Sequence, residues 1–267
     1  MRRAALPLFA ASLIGAAPAP ADLMTGTFSN EEQVYFDKEA GRTPPAWFAM
    51  HITPTKDGLL IEEPDIFGKV ASAPHPLAVR KEGKLTVLDY GACERLYKME
   101  QGAMVAAAVR GTCRAPGTIT RVDSKAITLT FPDGKTSELR RARSVSCWVS
   151  VRKDKPKADG KEDWTFEPAV KLHDQGGRAL IGAGVEGVKP VVIRMRNVTW
   201  AGSKSASNRP SLVLYVHTPD EPDKAISYVW GDEGAARLGI NLRWMQASCT
   251  IEGAEKPSVI TKTTFRG

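Results

Sequence analysis

Alternation of apolar and polar residues with a period of two is the feature that most constrains the fold of this chain. Ile127, Leu129 and Phe131 alternate with smaller or polar residues before a Pro-Asp-Gly turn at 132–134, which predicts a half-buried strand entering a hairpin. Other segments predicted as strands are 46–53, 85–90, 104–110, 144–151, 191–200, 211–217, 226–230 and 240–244. Such closely spaced strands predict an all-β sandwich or barrel.

The first 21 residues have the composition of a secretory signal peptide. A basic start at Arg2 and Arg3 precedes an apolar stretch, 4–17, and the small-residue ending Ala-Pro-Ala at 19–21. The apolar stretch is shorter than the ~20 residues that span a bilayer, and no later segment approaches that length. We therefore expect an exported chain, periplasmic or extracellular, without a membrane span.

Four cysteines follow this leader, namely Cys93, Cys113, Cys147 and Cys249, and none forms a Cys-x-x-Cys pair. In an oxidising compartment this even number predicts two disulfides rather than a metal or redox site. Of the three possible connectivities, we expect Cys93 to pair with Cys113 across one hairpin and Cys147 to pair with Cys249.

Charge and residue spacing argue against several functional classes. Without the leader the net charge of +7 falls to about +5, and the basic residues are spread along the chain, which does not favour nucleic-acid binding. The four histidines lack ligand spacing, so we predict no metal site. No nucleophile or base constellation indicates an enzyme. The densest polar cluster, 173–178 (HDQGGR), either binds an anion or shuttles a proton, or is simply a turn around its glycines.

The segment GTFSNEEQ, residues 26–33, is unusually polar for the opening of a folded chain. Ser29 followed three residues later by Glu32 matches a capping box, in which each side chain bonds the backbone N–H of the other. We predict a short helix that begins here and ends by Thr43, because Gly41 and the prolines that follow cannot continue it.

Four motif residues and a proline-aromatic segment stand near the start of the chain: Gly26, Phe28, Asn30 and Gln33, then Pro44-Pro45-Ala46-Trp47-Phe48. Together they resemble the opening of the CpcT/CpeT-type phycobiliprotein chromophore lyase family. The Gly-Ala-Cys segment that ends at Cys93, with Cys113 downstream, is similar to the Gly-Cys segment of that family and its partner cysteine.

The resemblance implies an antiparallel, lipocalin-like (calycin) β-barrel with a short N-terminal helix. It also implies binding of an open-chain tetrapyrrole, a bilin, which the family helps to place on a client cysteine. If the chain is an enzyme, the resemblance implies a bilin chromophore lyase. No cofactor other than a bound bilin is expected.

We expect residues 22–267 to form a single β-barrel domain. The charged segment 153–163 (KDKPKADGKED) contains Pro and Gly and lacks large apolar residues, which predicts an exposed inserted loop.

Aromatic residues on the predicted strands are candidates to line a barrel interior, where planar ligands stack; alternatively, they only fill the core. In 191–200, Arg194, Arg196 and Trp200 share one face and the apolar residues share the other. Arginines that face a cavity would clamp ligand carboxylates. If the apolar face packs in the core, they form a solvated surface. The predicted ligand-binding residues are Trp47, Trp148, Arg194, Arg196, Trp200, Tyr215, Tyr228, Trp230 and Trp244.

Two functions follow from these patterns. The first is an exported barrel that binds a small, partly apolar ligand such as a bilin or another tetrapyrrole. The second is a cell-envelope structural or protein-interaction module whose barrel is filled by side chains. A cavity of roughly 300–1,000 Å³ would favour the ligand, whereas a packed interior would favour a protein partner.

Overall fold

The computed structural model describes residues 19–70, 72–113, 117–199, 210–253 and 262–264. The helices are α1 (Pro20–Met24) and α2 (Glu31–Glu39). The strands are β1 (Gly26–Ser29), β2 (Ala49–Thr55), β3 (Gly58–Glu62), β4 (His75–Glu82), β5 (Leu85–Asp89), β6 (Cys93–Glu100), β7 (Ala103–Gly111), β8 (Thr118–Val122), β9 (Ala126–Thr130), β10 (Thr136–Ala142), β11 (Ser144–Val151), β12 (Glu167–His173), β13 (Gln175–Ile181), β14 (Val191–Val198), β15 (Ser211–His217), β16 (Ala225–Asp232), β17 (Arg237–Asn241), β18 (Met245–Ile251) and β19 (Lys262–Thr264).

Strands β1 to β10 form a closed antiparallel barrel. Strands β2 to β10 follow one another as a meander, and β1 closes the ring by pairing with both β2 and β10. The predicted all-β fold with an antiparallel barrel and a short N-terminal helix is therefore confirmed, and its up-and-down order is consistent with a lipocalin-like architecture. Helix α2 ends at Glu39, before Thr43 as expected.

Apolar side chains fill the barrel interior. Phe28 and Tyr97 are fully buried there, and the Tyr97 hydroxyl donates to the carbonyl of Ile119 at 2.9 Å. Leu23 and Met24 of α1 pack into the same hydrophobic cluster. The interior is thus a packed core of the kind that small barrels form.

The strands from β11 onward form two open sheets, ordered β12-β11-β18-β17 and β13-β14-β15-β16-β19. Their inner faces share one hydrophobic core, to which Val149 contributes from the first sheet and Ile193 and Leu214 from the second. This arrangement is a β-sandwich. The barrel therefore occupies residues 26–142 and not the whole of 22–267, because β11 pairs with β12 and β18 instead of a barrel strand.

Both predicted disulfides are present. Cys93–Cys113 spans 20 residues within the barrel half, and Cys147–Cys249 spans 102 residues and joins the paired strands β11 and β18. They fit a chain that folds in an oxidising compartment. None of the helices in the described part of the chain is long and apolar enough to cross a membrane.

Residues 153–163 contain no helix or strand and are mostly exposed. An ion pair between Lys153 and Asp163 (2.8 Å) closes the base of this loop. The leader predicted at 1–21 lies outside the described residues except for Ala19, Pro20 and Ala21, the last two of which belong to α1.

Candidate functional site

The opening segment 26–33 closes the barrel. Phe28 in β1 is buried in the interior, and the guanidinium carbon of Arg141 lies 4.6 Å from the centre of its ring. Gly26 has a φ of +131°, and a Cβ there would lie 2.8 Å from Nη1 of Arg141. A glycine is needed because residues with a side chain rarely adopt this φ, and a Cβ would also displace that arginine.

Asn30 and Gln33 attach α2 to the barrel. The buried Asn30 side chain donates to the carbonyl of Ala46 (2.8 Å) and to Oγ of Ser137 (3.0 Å), and it accepts from the N–H of Phe48 (2.8 Å). Oε1 of Gln33 accepts from the same Ser137 hydroxyl at 3.3 Å. These two motif residues therefore position α2, and no ligand is needed to explain them.

The capping box predicted at Ser29 and Glu32 is wrong. Helix α2 begins at Glu31, whose N–H donates to Oγ of Ser29 at 3.2 Å. The Glu32 carboxylate accepts from the N–H of Thr199 (3.0 Å) and pairs with Arg140 of the barrel. The Glu32 carboxylate therefore bonds residues distant in the sequence instead of the backbone N–H of Ser29.

The two faces of β14 differ in what they bury. Val191, Ile193 and Met195 pack in the sandwich core, so Arg194 and Arg196 project from the outer face of the five-stranded sheet. Only 4% and 2% of these arginines is exposed. The expectation of a solvated surface is therefore wrong, because residues of α2 lie against both guanidinium groups.

Arg178, Arg194 and Arg196 form a group that we call the arginine cluster. Oε1 of Glu31 contacts Nη2 of Arg194 and lies 3.6 Å from Nη2 of Arg178. Oδ1 of Asp223, whose side chain is 74% exposed, also lies 3.6 Å from Nη2 of Arg178. Arg178 and Arg194 thus share one buried carboxylate, and Arg178 also faces one exposed carboxylate.

Several donors in this cluster are buried without a hydrogen-bond partner among the described residues. They are Nε of Arg178, Nε of Arg194 and Nη2 of Arg196. The two ring nitrogens of the neighbouring His217 are also unpartnered. Burial, and then the charge of Arg194, lower the pKa of His217 to about 4, so its ring is neutral near pH 7. A buried donor without a partner costs about 1–3 kcal/mol, which an anion would offset.

Gly176 of the polar cluster 173–178 makes room for Glu31. Gly176 has a φ of +88°, and a Cβ there would lie 2.3 Å from Cγ of Glu31. Asp174 bonds Arg143, with its carboxylate 2.6 Å from Nε, so it neither joins the cluster nor is available to shuttle a proton. The segment is a bulged turn that also supplies one arginine of the cluster.

Tyr215, Ile226, Tyr228 and Trp230 lie on the same outer face, and we call them the aromatic face. Tyr215 and Tyr228 are directly opposite on β15 and β16, with ring centres 6.1 Å apart. Trp230 and Ile226 are 43% and 42% exposed. This face therefore combines partly buried tyrosines with an accessible apolar edge.

Tyr35 of α2 connects the aromatic face to the arginine cluster. Its ring centre lies 3.8 Å from the guanidinium carbon of Arg196, a cation–π contact. Burial raises the pKa of the Tyr215 hydroxyl above its ordinary value, an effect that the neighbouring Arg196 opposes. Aromatic and cationic groups are thus contiguous on this face.

Three of the predicted ligand-binding residues are not part of this site, and a fourth lies outside the described residues. Trp47 lies in the connection from α2 to β2, and Trp148 lies on the outer face of the four-stranded sheet, 6.2 Å from Phe166 between ring centres. Trp244 lies in the turn between β17 and β18 and not on a strand. Trp200 lies outside the described residues.

A cleft of about 1,140 Å³ lies between the barrel and the sandwich. Its basic walls are largely engaged within the protein: Arg141 donates to the carbonyls of Leu23 and Thr25, and Arg143 pairs with Asp174. Nη2 of Arg143 is buried without a hydrogen-bond partner among the described residues, but the arginine cluster holds three such arginine donors.

Sequence reasoning missed Glu31, Tyr35 and His217 as members of the site, and it offered Arg178 only within the polar cluster 173–178, without its partners. The sequence does contain two adjacent glutamates at the start of α2 and a Gly-Gly-Arg segment at 176–178, and these could have suggested an ion pair. Nothing local relates these two segments, so the contact between them could not be read from periodicity.

Together, the fold and the site define a β-barrel joined to a β-sandwich that carries a buried arginine cluster beside an aromatic face. Comparisons with models of known protein families, with curated proteins and with solved structures find no match for this chain. Within the described ranges, no group of three or more His, Cys, Asp or Glu side chains is placed to hold a metal ion.

Proposed function

We propose that this chain is an exported binding protein for a small, partly apolar ligand, which it holds on the aromatic face of the sandwich. The observation that carries the proposal is the convergence of five predicted ligand residues on one sheet face: Arg194, Arg196, Tyr215, Tyr228 and Trp230. The leader at 1–21 and the two disulfides support export.

The aromatic face suits such a ligand better than the barrel does. Because Phe28, Tyr97 and their neighbours fill the barrel, a ligand there would have to displace packed side chains. Trp230 and Ile226 are accessible, and large aromatic side chains supply the apolar contact area on which a planar ligand can stack. The resemblance to bilin lyases makes an open-chain tetrapyrrole the first ligand to test.

The experiment is an absorbance titration of the purified protein with biliverdin and, separately, with haem. We expect saturable binding with one ligand per chain, and a loss of affinity of about tenfold in Trp230→Ala, because a stacking aromatic contributes roughly 1–1.5 kcal/mol. Trp148→Ala is the matched control, since Trp148 has similar exposure (36%) on the outer face of the other sheet.

Equal losses in both variants would show that binding is not on the aromatic face. No spectral change with either pigment in the wild-type protein would exclude tetrapyrroles as the ligand.

A second candidate is a cell-envelope protein-interaction module, and the filled barrel favours it. In that case the exposed Trp230 and Ile226 would contact a protein partner. Native mass spectrometry of the protein purified from its own compartment separates the two functions, because a small co-purified mass supports the ligand and a clean chain mass favours the partner.

A further inference from the structure

The arginine cluster buries more positive charge than the buried carboxylate beside it can neutralise. Arg178, Arg194 and Arg196 are each at least nine-tenths buried. Among the described residues, Glu31 is the one buried carboxylate against Arg178 and Arg194, and no carboxylate pairs with Arg196. A buried charge without a counter-charge is strongly destabilising. The cluster is therefore incompletely neutralised when Glu31 is its main partner.

We propose that the arginine cluster is a carboxylate-binding site, and that Glu31 is the internal carboxylate that occupies it when no ligand is bound. This inference rests on the proposed function and narrows it, because the partly apolar ligand would then carry a carboxylate next to its apolar part. Binding would exchange one carboxylate, that of Glu31, for another.

The contacts of Glu31 leave room for a better partner. Glu31 contacts Arg194 through Nη2, while Nε on the same edge of that guanidinium has no partner. A carboxylate that met both atoms would form the two parallel bonds that arginine makes with carboxylates. Nη2 of Arg196, whose guanidinium group lies against the Tyr35 ring, is a further unpartnered donor.

Glu31 also differs from its neighbour Glu32, although each is 5% exposed. Glu32 pairs with Arg140, whose side chain is 43% exposed, and accepts from the N–H of Thr199. Solvent reaches Arg140 and reduces its need for a counter-charge. The two adjacent glutamates therefore form a matched pair in which one alone belongs to the arginine cluster.

The test is chemical rescue of the missing carboxylate, measured by thermal unfolding. Glu31→Ala should lower the melting temperature by about 6–15 °C, since it leaves buried charge unpaired, and sodium acetate should restore at least about half of that loss relative to sodium chloride at equal ionic strength. Glu32→Ala should show no preference for acetate over chloride. If Glu31→Ala is recovered unfolded, its refolding yield in acetate relative to chloride replaces the melting temperature.

Equal stability of Glu31→Ala in acetate and chloride would overturn the inference, as would an equal response of Glu32→Ala. A second measurement uses ligands: Glu31→Gln should bind biliverdin about tenfold more tightly than the wild type does, and biliverdin dimethyl ester should gain nothing. Rescue by acetate without pigment binding would support the anion site while removing the tetrapyrrole. Pigment binding without rescue would leave the proposed function and overturn this inference.

Discussion

The barrel interior and the arginine cluster on the five-stranded sheet are both shielded from water but differ in chemistry. Phe28 in the barrel is 0% exposed and Arg196 on the sheet is 2% exposed. Apolar side chains surround Phe28 in the barrel. Tyr35 of α2, Tyr215 and further arginines surround Arg196 on the sheet. A packed apolar interior is stable by itself, while buried charge persists only with partners. A bound anionic ligand should therefore stabilise the arginine cluster more than it would stabilise the barrel.

Removal of each disulfide should have the largest effect on stability, and it compares the barrel with the sandwich, since each contains one. Removing Cys147–Cys249 as a pair of alanines should cost about 5 kcal/mol, because the bond closes 102 residues, and removing Cys93–Cys113 about 3 kcal/mol, because it closes 20. Urea unfolding of both double variants gives the free energies of unfolding. A smaller loss in the sandwich variant than in the barrel variant would contradict this ranking.

Apolar residues can replace the buried ion pair between Arg194 of β14 and Glu31 of α2. Arg194→Met alone should lose about 4 kcal/mol, since it leaves the buried Glu31 carboxylate with only its longer contact to Arg178. Adding Glu31→Leu to Arg194→Met should cost less than Glu31→Leu costs in the wild type, because the main partner of Glu31 is already gone. A double-mutant cycle of unfolding free energies measures the coupling. If the two losses simply added, Glu31 and Arg194 would not act as a pair.

Acid should weaken the sheet face more than the barrel. The pKa of the buried His217 is lowered from 6.5 to about 4, so the unfolded chain takes up the proton first, and the stability from the neutral ring is fully present above pH 6.5 and is lost as the pH falls towards 4. The loss should reach about 3 kcal/mol at pH 4. Burial lowers the pKa of His173 to about 4 as well, so part of the acid sensitivity should remain in a His217 variant.

The measurement is the unfolding free energy at pH 7 and pH 4 for the wild type and His217→Leu, with the exposed His75→Ala as the control. We expect His217→Leu to lose less stability on acidification and His75→Ala to behave like the wild type. An unchanged pH slope in His217→Leu would show that this ring does not titrate as its burial requires.

Much of the architecture was predictable because it depends on local pattern. Alternation in 144–151 and 211–217 predicted β11 and β15, and it placed Cys147 with the apolar residues that face the sandwich core. The same alternation separated Arg194 and Arg196 from the apolar face of β14. Local pattern failed at Ser29 and Glu32, where the capping box lost to tertiary partners.

By itself, then, the sequence predicted strands such as β9, β11, β14 and β15 with their two faces, the short helix and the number of disulfides, since hydrophobic period and cysteine count are properties of the chain. Strands without clear alternation, such as β1, β4 and β13, were not predicted. Only the tertiary structure decided that the barrel stops at Ala142 and that α2 lies over the arginines. The reason is physical: whether Arg196 is solvated or buried depends on what packs above it, and that is Tyr35, a residue from a distant part of the chain.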